Sequence, residues 1–220
     1  MLSLRRIENI YKIEYTLENV TGARIGAGGF NIDPTLPDNS VMRDISGKPF
    51  IPGSTLKGLF RSVFESLFFD EINECCYHTK KATKTNRERF TEELKKGSLR
   101  ICRVCRLFGS NFIAGRVLFS DSYCKNKAVV RVRDGVAIRR DVETIEDPSK
   151  FDFEVIEPGA EFPGEIVLQN IEEDDLKAMK EVFNLIDAGV LKIGGMKSRG
   201  LGRFAVKNLN VERVFPPEVK

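Results

Sequence analysis

The stretch Ile193-Gly194-Gly195-Met196-Lys197-Ser198-Arg199-Gly200-Leu201-Gly202-Arg203-Phe204 decides the fold class. A glycine-rich turn that opened a helix would announce a doubly wound nucleotide-binding sheet. Here the loop lacks the GxGxxG-to-helix pattern and the Gly-Lys-Ser/Thr ending of a phosphate loop. The residues after it, from Arg203 to Val211, read as a strand. The loop therefore sits between two strand-like pieces, which disfavours the nucleotide-cofactor folds. Its glycines can bring successive N–H groups into an anion-binding nest, and Lys197, Arg199 and Arg203 add attraction for phosphate. The competing reading is a glycine-rich hairpin with a solvated basic rim.

Working outward, residues 172–187 form a helix with Leu176, Met179, Val182, Phe183 and Ile186 on one face. Glu172 to Asp175 favour its N-terminus and Gly189 ends it. Glu165–Leu168 reads as a strand, and Phe151–Val155 alternates. Tyr11, Ile13, Tyr15 and Leu17 alternate with Lys12, Glu14, Thr16 and Glu18, the pattern of a half-buried strand. Residues 55–70 form an amphipathic helix, with Ser54 as its expected N-cap. Short strands are expected at 115–120 and 128–133. A strand at 202–211 closes the domain. The order strand, helix, strands, strand, helix, strand is the β-α-β-β-α-β plan of an α+β, ferredoxin-like domain. Residues 71–110, with a charged helix at 86–96, would then be a helical insertion. Residues 131–150, with Arg131, Arg133, Arg139 and Arg140, would be a projecting arm.

Sixteen Phe and no Trp in 220 residues predict a Phe-rich core. The net charge of +3 does not by itself announce nucleic acid, so local clustering must carry that argument. Met1 to Arg6 has no apolar stretch of signal-peptide type, and no apolar run approaches membrane-spanning length; a cytoplasmic protein is expected.

In a reducing compartment five cysteines point to metal or buried thiols rather than disulfides. Cys75-x2-His78 and Cys102-x2-Cys105 supply two ligand pairs, the combination a structural zinc needs, with Cys76 as the alternative to Cys75. Cys124 lies outside the cluster and reads as a core thiol. With the single histidine among those ligands, a Ser-His-Asp or Cys-His mechanism has no support. The remaining candidates are the loop carboxylates Asp33, Asp38 and Asp44, beside a second glycine-rich stretch at 21–29. The residues alone do not choose among them.

Four segments taken in order resemble a family. Ile51-Pro52-Gly53-Ser54-Thr55-Leu56-Lys57-Gly58 followed by Arg61 is similar to a helix-initiating motif of the RAMP superfamily. The glycine loop at 194–202, Cys102-Arg103-Val104-Cys105-Arg106-Leu107-Phe108-Gly109 and Phe151–Val155 fit the same pattern, most closely that of the backbone subunit of type III CRISPR effector complexes. The resemblance covers residues 10–211. It implies a modified RRM core, a single RAMP domain over 1–220, a thumb-like arm, and copies stacked in a helical filament with other type III subunits, on crRNA and target RNA. In such a subunit sequence is read by base pairing while the protein holds the backbone. The resemblance places a target-cleaving aspartate, working with Mg2+ or Mn2+, at Asp38, in register with Val41-Met42-Arg43-Asp44. It implies crRNA contacts at Lys57 and Arg61, with Arg24, Arg43, Ser54, Gly195, Lys197, Arg199, Arg139 and Arg140 in support. The family's arm usually has Asp-Arg where this chain has Arg139-Arg140. A non-catalytic crRNA-binding scaffold is the alternative function.

Overall fold

A computed structural model of the chain describes residues 6–26, 40–70, 83–98, 100–138 and 145–216. The elements in chain order are β1 (Ile10–Asn19), β2 (Phe50–Ile51), α1 (Gly53–Leu67), α2 (Lys84–Lys95), α3 (Arg103–Phe108), β3 (Val117–Phe119), β4 (Ser122–Tyr123), β5 (Val130–Ile138), β6 (Ile145–Ile156), β7 (Glu161–Gln169), α4 (Glu173–Asp187) and β8 (Phe204–Phe215). The main sheet has the order β3-β7-β1-β8, and every neighbouring pair is antiparallel.

The alternation of β1 sets the layers. Ile13, Tyr15 and Leu17 are buried, and the residues between them point the other way. Against the buried face lie α1, through Leu56, Phe60 and Phe64, and α4, through Met179, Val182, Phe183 and Ile186. These positions recur three or four apart, so each helix offers one continuous apolar stripe. Phe60 sits at the junction, with ring centroids 5.2 Å from both Phe119 and Phe183, while Tyr15 meets Phe183 at 5.1 Å. Each such ring buried contributes roughly 1.5–3 kcal/mol. The expected Phe-rich core is present.

The other face of the sheet is open. Register places Glu14 opposite Glu165, Thr16 opposite Pro163 and Glu18 opposite Glu161 on β7, and Lys12 opposite Glu212 on β8. Lys12 bridges the like-charged pair, at 2.7 Å from Glu14 and 3.2 Å from Glu165. Lys207 pairs with Glu18.

Three expectations change. The N-cap of α1 is Pro52, and Ser54 stands exposed in the first turn. The reason is long-range: the Gly53 N–H donates to Asp121 Oδ1 at 2.7 Å, so the helix starts earlier than its own sequence suggests. A Cβ on Gly53 would lie 2.5 Å from the Phe119 carbonyl oxygen, which explains a glycine there. The expected projecting loop at 131–150 is a two-stranded hairpin, β5 with β6, and Phe151–Val155 belongs to it. Residues 131–134 are exposed, so no apolar face marked the strand. Finally, α3 lies within the block expected as an insertion, yet Val104, Leu107 and Phe108 are in the main core, with Phe108 5.2 Å from Phe64.

A buried carboxylate fixes α3 to α4. Asp175 accepts from Arg106 at 2.9 and 3.1 Å, and Arg103 lies 3.6 Å away. Asp175 also closes the capping box of α4 by accepting from the Glu172 N–H at 2.9 Å.

Candidate nucleic-acid interface

The glycine loop is built on the segment that leaves β1. Asn19, fully buried, donates to the carbonyls of Thr21, Ile156 and Glu157 and accepts from the Ala160 N–H at 2.7 Å. That ties the end of β1 to the base of the hairpin. Ala23 then exchanges both backbone hydrogen bonds with Ile156, at 2.9 and 2.8 Å. The loop stacks on this strip: Gly195 N–H donates to Arg24 O at 2.8 Å and Gly202 N–H to Gly22 O at 2.9 Å. Gly194, at φ +94°, has no room for a Cβ, which would fall inside contact distance of the Arg24 carbonyl oxygen.

Part of the loop's amide complement is spent on holding it to the protein. The N–H groups of Ile193, Gly195, Arg199 and Gly202 all donate within the protein. Gly194 and Gly202 serve the close approach of two chain segments, and the loop's polar side chains face outward beside them.

Those side chains line a groove of about 440 Å³ between the loop and the first half of α1. Thr55, Gly58 and Ser62 form the helix wall; Lys192, Gly195 and Lys197 form the loop wall, and Ile25 and Gly26 lie at its edge. Lys192 Nζ donates to the Lys197 carbonyl at 2.8 Å, which holds the ammonium at the loop. The Arg24 guanidinium covers Gly195 and Gly26, and burial lowers its pKa from the ordinary arginine value. Thr55, Ser62 and Lys192 were not singled out from the sequence. The signal was there: 55, 58, 59 and 62 make one helical strip, and Lys192 immediately precedes the loop.

Lys57 and Arg61 share the helix but not that strip. Arg61 Nε donates to Glu65 at 2.8 Å and Nη1 to the Gly109 carbonyl at 3.3 Å, in a hollow formed with Ser110 and Gly115. Lys57 is half-buried and has no ion-pair partner among the described residues. Ser54 and Lys197 are exposed. Arg199 lies over the Phe151 ring, 5.7 Å from its centroid. The hairpin and loop are further joined by a small cluster of Phe153, Val155 and Leu201, with Phe151 and Met196 against it. Arg43 pairs with Glu154 at 2.9 Å, and Glu154 also accepts from the Val41 N–H.

Of the three loop carboxylates, Asp44 caps a turn: its Oδ1 accepts from the Ser46 hydroxyl and from the N–H groups of Ser46 and Lys48. The Ser46 hydrogen bond, with these amides, holds its carboxyl below the usual range. Asp33 and Asp38 lie outside the described residues, as do Cys75, Cys76, His78, Arg139 and Arg140. The segment carrying Asp38 is flanked by Gly26 and Val41, which form an isolated antiparallel bridge. Cys102 and Cys105 are buried together at the start of α3, where Cys102 Sγ accepts from the Cys105 N–H at 3.4 Å. Cys124 is buried, as expected, and burial pushes its thiol pKa up. No described helix is long and apolar enough to cross a membrane.

Comparison with known proteins bears on this arrangement. Residues 16–205 match the sequence profile of the RAMP superfamily. The chain is 27% identical, over 220 aligned residues, to the Streptococcus thermophilus protein named CRISPR system Cms endoribonuclease Csm3, covering 89% of this chain and 86% of that one. A protein of the same name from Methanothermobacter thermautotrophicus is 24% identical over 229 residues, covering 87% and 81%. The mixed α+β fold is shared with a chain in a cryo-EM structure of the type III-B Cmr-beta complex bound to cognate target RNA, with TM-score 0.62 and 17% identity. That match covers 92% of this chain and 61% of the other.

Proposed function

Because the chain belongs to the RAMP superfamily, we propose that it is a backbone subunit of a type III CRISPR effector complex, which holds crRNA by its phosphates and cleaves complementary target RNA with a divalent metal. The observation that carries this reading is near-full-length similarity to proteins named Csm3 endoribonuclease. The sheet order β3-β7-β1-β8, with α1 and α4 as the two crossovers, supports naming the fold ferredoxin-like.

In this reading the groove between α1 and the glycine loop takes the guide backbone. The ammonium groups of Lys192 and Lys197 and the guanidinium of Arg24 neutralise phosphate, and the Thr55 and Ser62 hydroxyls bond phosphate or ribose oxygens. Lys57 and Arg61, on the neighbouring strip, contact the next stretch of RNA or a neighbouring copy's guide. The hairpin is the thumb-like arm, and Arg139 and Arg140 lie in the sequence between its two strands. Copies of the chain stack along one guide beside other type III subunits.

Asp38 is the catalytic carboxylate. Its segment is flanked in sequence by Gly26 and Val41, which form an isolated bridge, and Gly26 borders the groove. A bound Mg2+ or Mn2+ would neutralise charge at the scissile phosphate. Cys75 or Cys76, with His78, Cys102 and Cys105, would hold a structural zinc. The two described sulfurs fit that role, being buried in one turn with the Cys105 N–H directed at Cys102 Sγ.

The test is Asp38→Ala in the assembled complex, following target cleavage and guide retention together. Cleavage should be abolished while guide content is unchanged. Undiminished cutting would remove Asp38 from the mechanism. Guide binding with no cutting by the unaltered complex under saturating Mg2+ would leave a non-catalytic scaffold.

A further inference from the structure

A second basic groove lies on the far side of the 40–43 strip from the glycine loop. It has a volume of about 470 Å³ and is lined by Arg43, Ser46, Lys48, Lys125, Asn126 and Lys127 among others, with no carboxylate in its lining. Two turns make its walls. The 44–48 turn is fixed by Asp44, whose charge is directed inward to Ser46 and Lys48. The 124–127 turn is fixed by Asn126, which donates to the Gly159 carbonyl at 2.7 Å and accepts from the Glu161 N–H at 2.9 Å. The two turns are joined where the Cys124 N–H donates to the Pro49 carbonyl at 3.1 Å.

The result is a concave surface with cations on rigid backbone. Arg43 is half neutralised by Glu154. Lys48, Lys125 and Lys127 are exposed and form no ion pair among the described residues. Exposed lysines scattered on a surface are ordinary, but here three converge on one groove whose lining holds no carboxylate. Their mutual repulsion is relieved by a polyanion. A phosphodiester backbone suits a basic groove with two walls.

We propose that this groove is a second RNA-backbone site, taking a phosphodiester run of single-stranded RNA independently of the glycine-loop groove. The inference rests on the RNA reading of the chain. It adds Lys48, Lys125 and Lys127 as phosphate contacts and makes the 40–43 strip a ridge between two tracks. Val41 of that strip forms the isolated bridge with Gly26.

The experiment uses the full chain and a labelled oligouridine, with affinity measured across a salt series. Three variants are compared: Lys48→Ala/Lys125→Ala/Lys127→Ala, Lys192→Ala/Lys197→Ala, and Lys84→Ala/Lys95→Ala on the exposed α2 as control. The triple variant should lose about tenfold or more in affinity. Its slope of log affinity against log salt should fall by roughly 2, about 0.7 for each phosphate of a single strand that is no longer neutralised. The control should match the unaltered chain. If the Lys192/Lys197 variant loses affinity but the triple variant keeps both affinity and slope, the second site is overturned and the RNA reading stands. If neither loses affinity, the RNA reading of both grooves fails. An unchanged RNA slope with lost binding of a polyglutamate probe would overturn the proposal in favour of an acidic protein partner.

Discussion

On the open face of the sheet, Glu14 stands directly opposite Glu165, and Glu18 opposite Glu161. At the glycine-loop edge, Lys192, Lys197 and Arg24 surround a groove with two hydroxyls in its wall. A typical RRM stacks bases on aromatic side chains of its open sheet face. The pairs Glu14–Glu165, Thr16–Pro163 and Glu18–Glu161 on this face hold no aromatic residue, and the Lys12 hydrogen bond holds the Glu14 carboxyl below its usual range, in keeping with a charged face at neutral pH. The same sheet that could have been a platform for bases instead repels phosphate. In the proposed reading, binding lies at the edge where the glycine loop meets the 22–26 strip.

The largest effect is expected from wedging the edge open. Gly194→Val forces a side chain into the Arg24 carbonyl and a β-branched residue into positive φ, costing roughly 1–3 kcal/mol of stability. Urea unfolding should show the loss and RNA binding should fall with it. A variant as stable as the unaltered chain would mean that the loop does not need its close approach to the 22–26 strip. Next in size is Lys192→Ala/Lys197→Ala, for which about tenfold weaker RNA binding is expected with unfolding unchanged, equivalent to about 1.4 kcal/mol. Asp121→Ala links the two regions, because Asp121 lines a hollow on the sheet side and caps α1, whose other side walls the groove. Loss of that cap should cost about 1 kcal/mol in thermal or urea unfolding. The smallest effect belongs to the open face: Glu14→Gln/Glu165→Gln should change stability by no more than about 0.5 kcal/mol and leave RNA affinity within about twofold. A tenfold loss there would put RNA on the sheet and reverse the comparison.

The elements that one local pattern defines were legible in the sequence. β1 alternates, and α1 and α4 each carry an apolar stripe; all three appear where their patterns place them. The hidden features depend on partners distant in the chain. The start of α1 is fixed by Asp121, and the arm's first strand is exposed at 131–134 and known only by its pairing with β6. The glycine loop stood out in the sequence, but the bonds from its Gly195 and Gly202 amides to Arg24 and Gly22 did not. Nothing in a stretch such as Ile193–Phe204 says that a strip from residues 22–26 lies under it. Lys57 and Arg61 stood out because they belong to a recognisable motif, whereas Thr55, Ser62 and Lys192 matter by position. A similar limit applies to Lys48 and Lys125, which lie far apart in sequence and share one groove through the Cys124–Pro49 hydrogen bond and the β2–β4 pairing.

The most direct test of the central claim is photo-crosslinking of bound RNA in the native complex, with the crosslinked peptides identified by mass spectrometry. The account predicts crosslinks within Thr55–Ser62, at Arg24 and within Lys192–Arg199, and none on the open sheet face. Crosslinks concentrated at Glu14, Thr16 and Glu165, with the loop peptides unmodified, would contradict it.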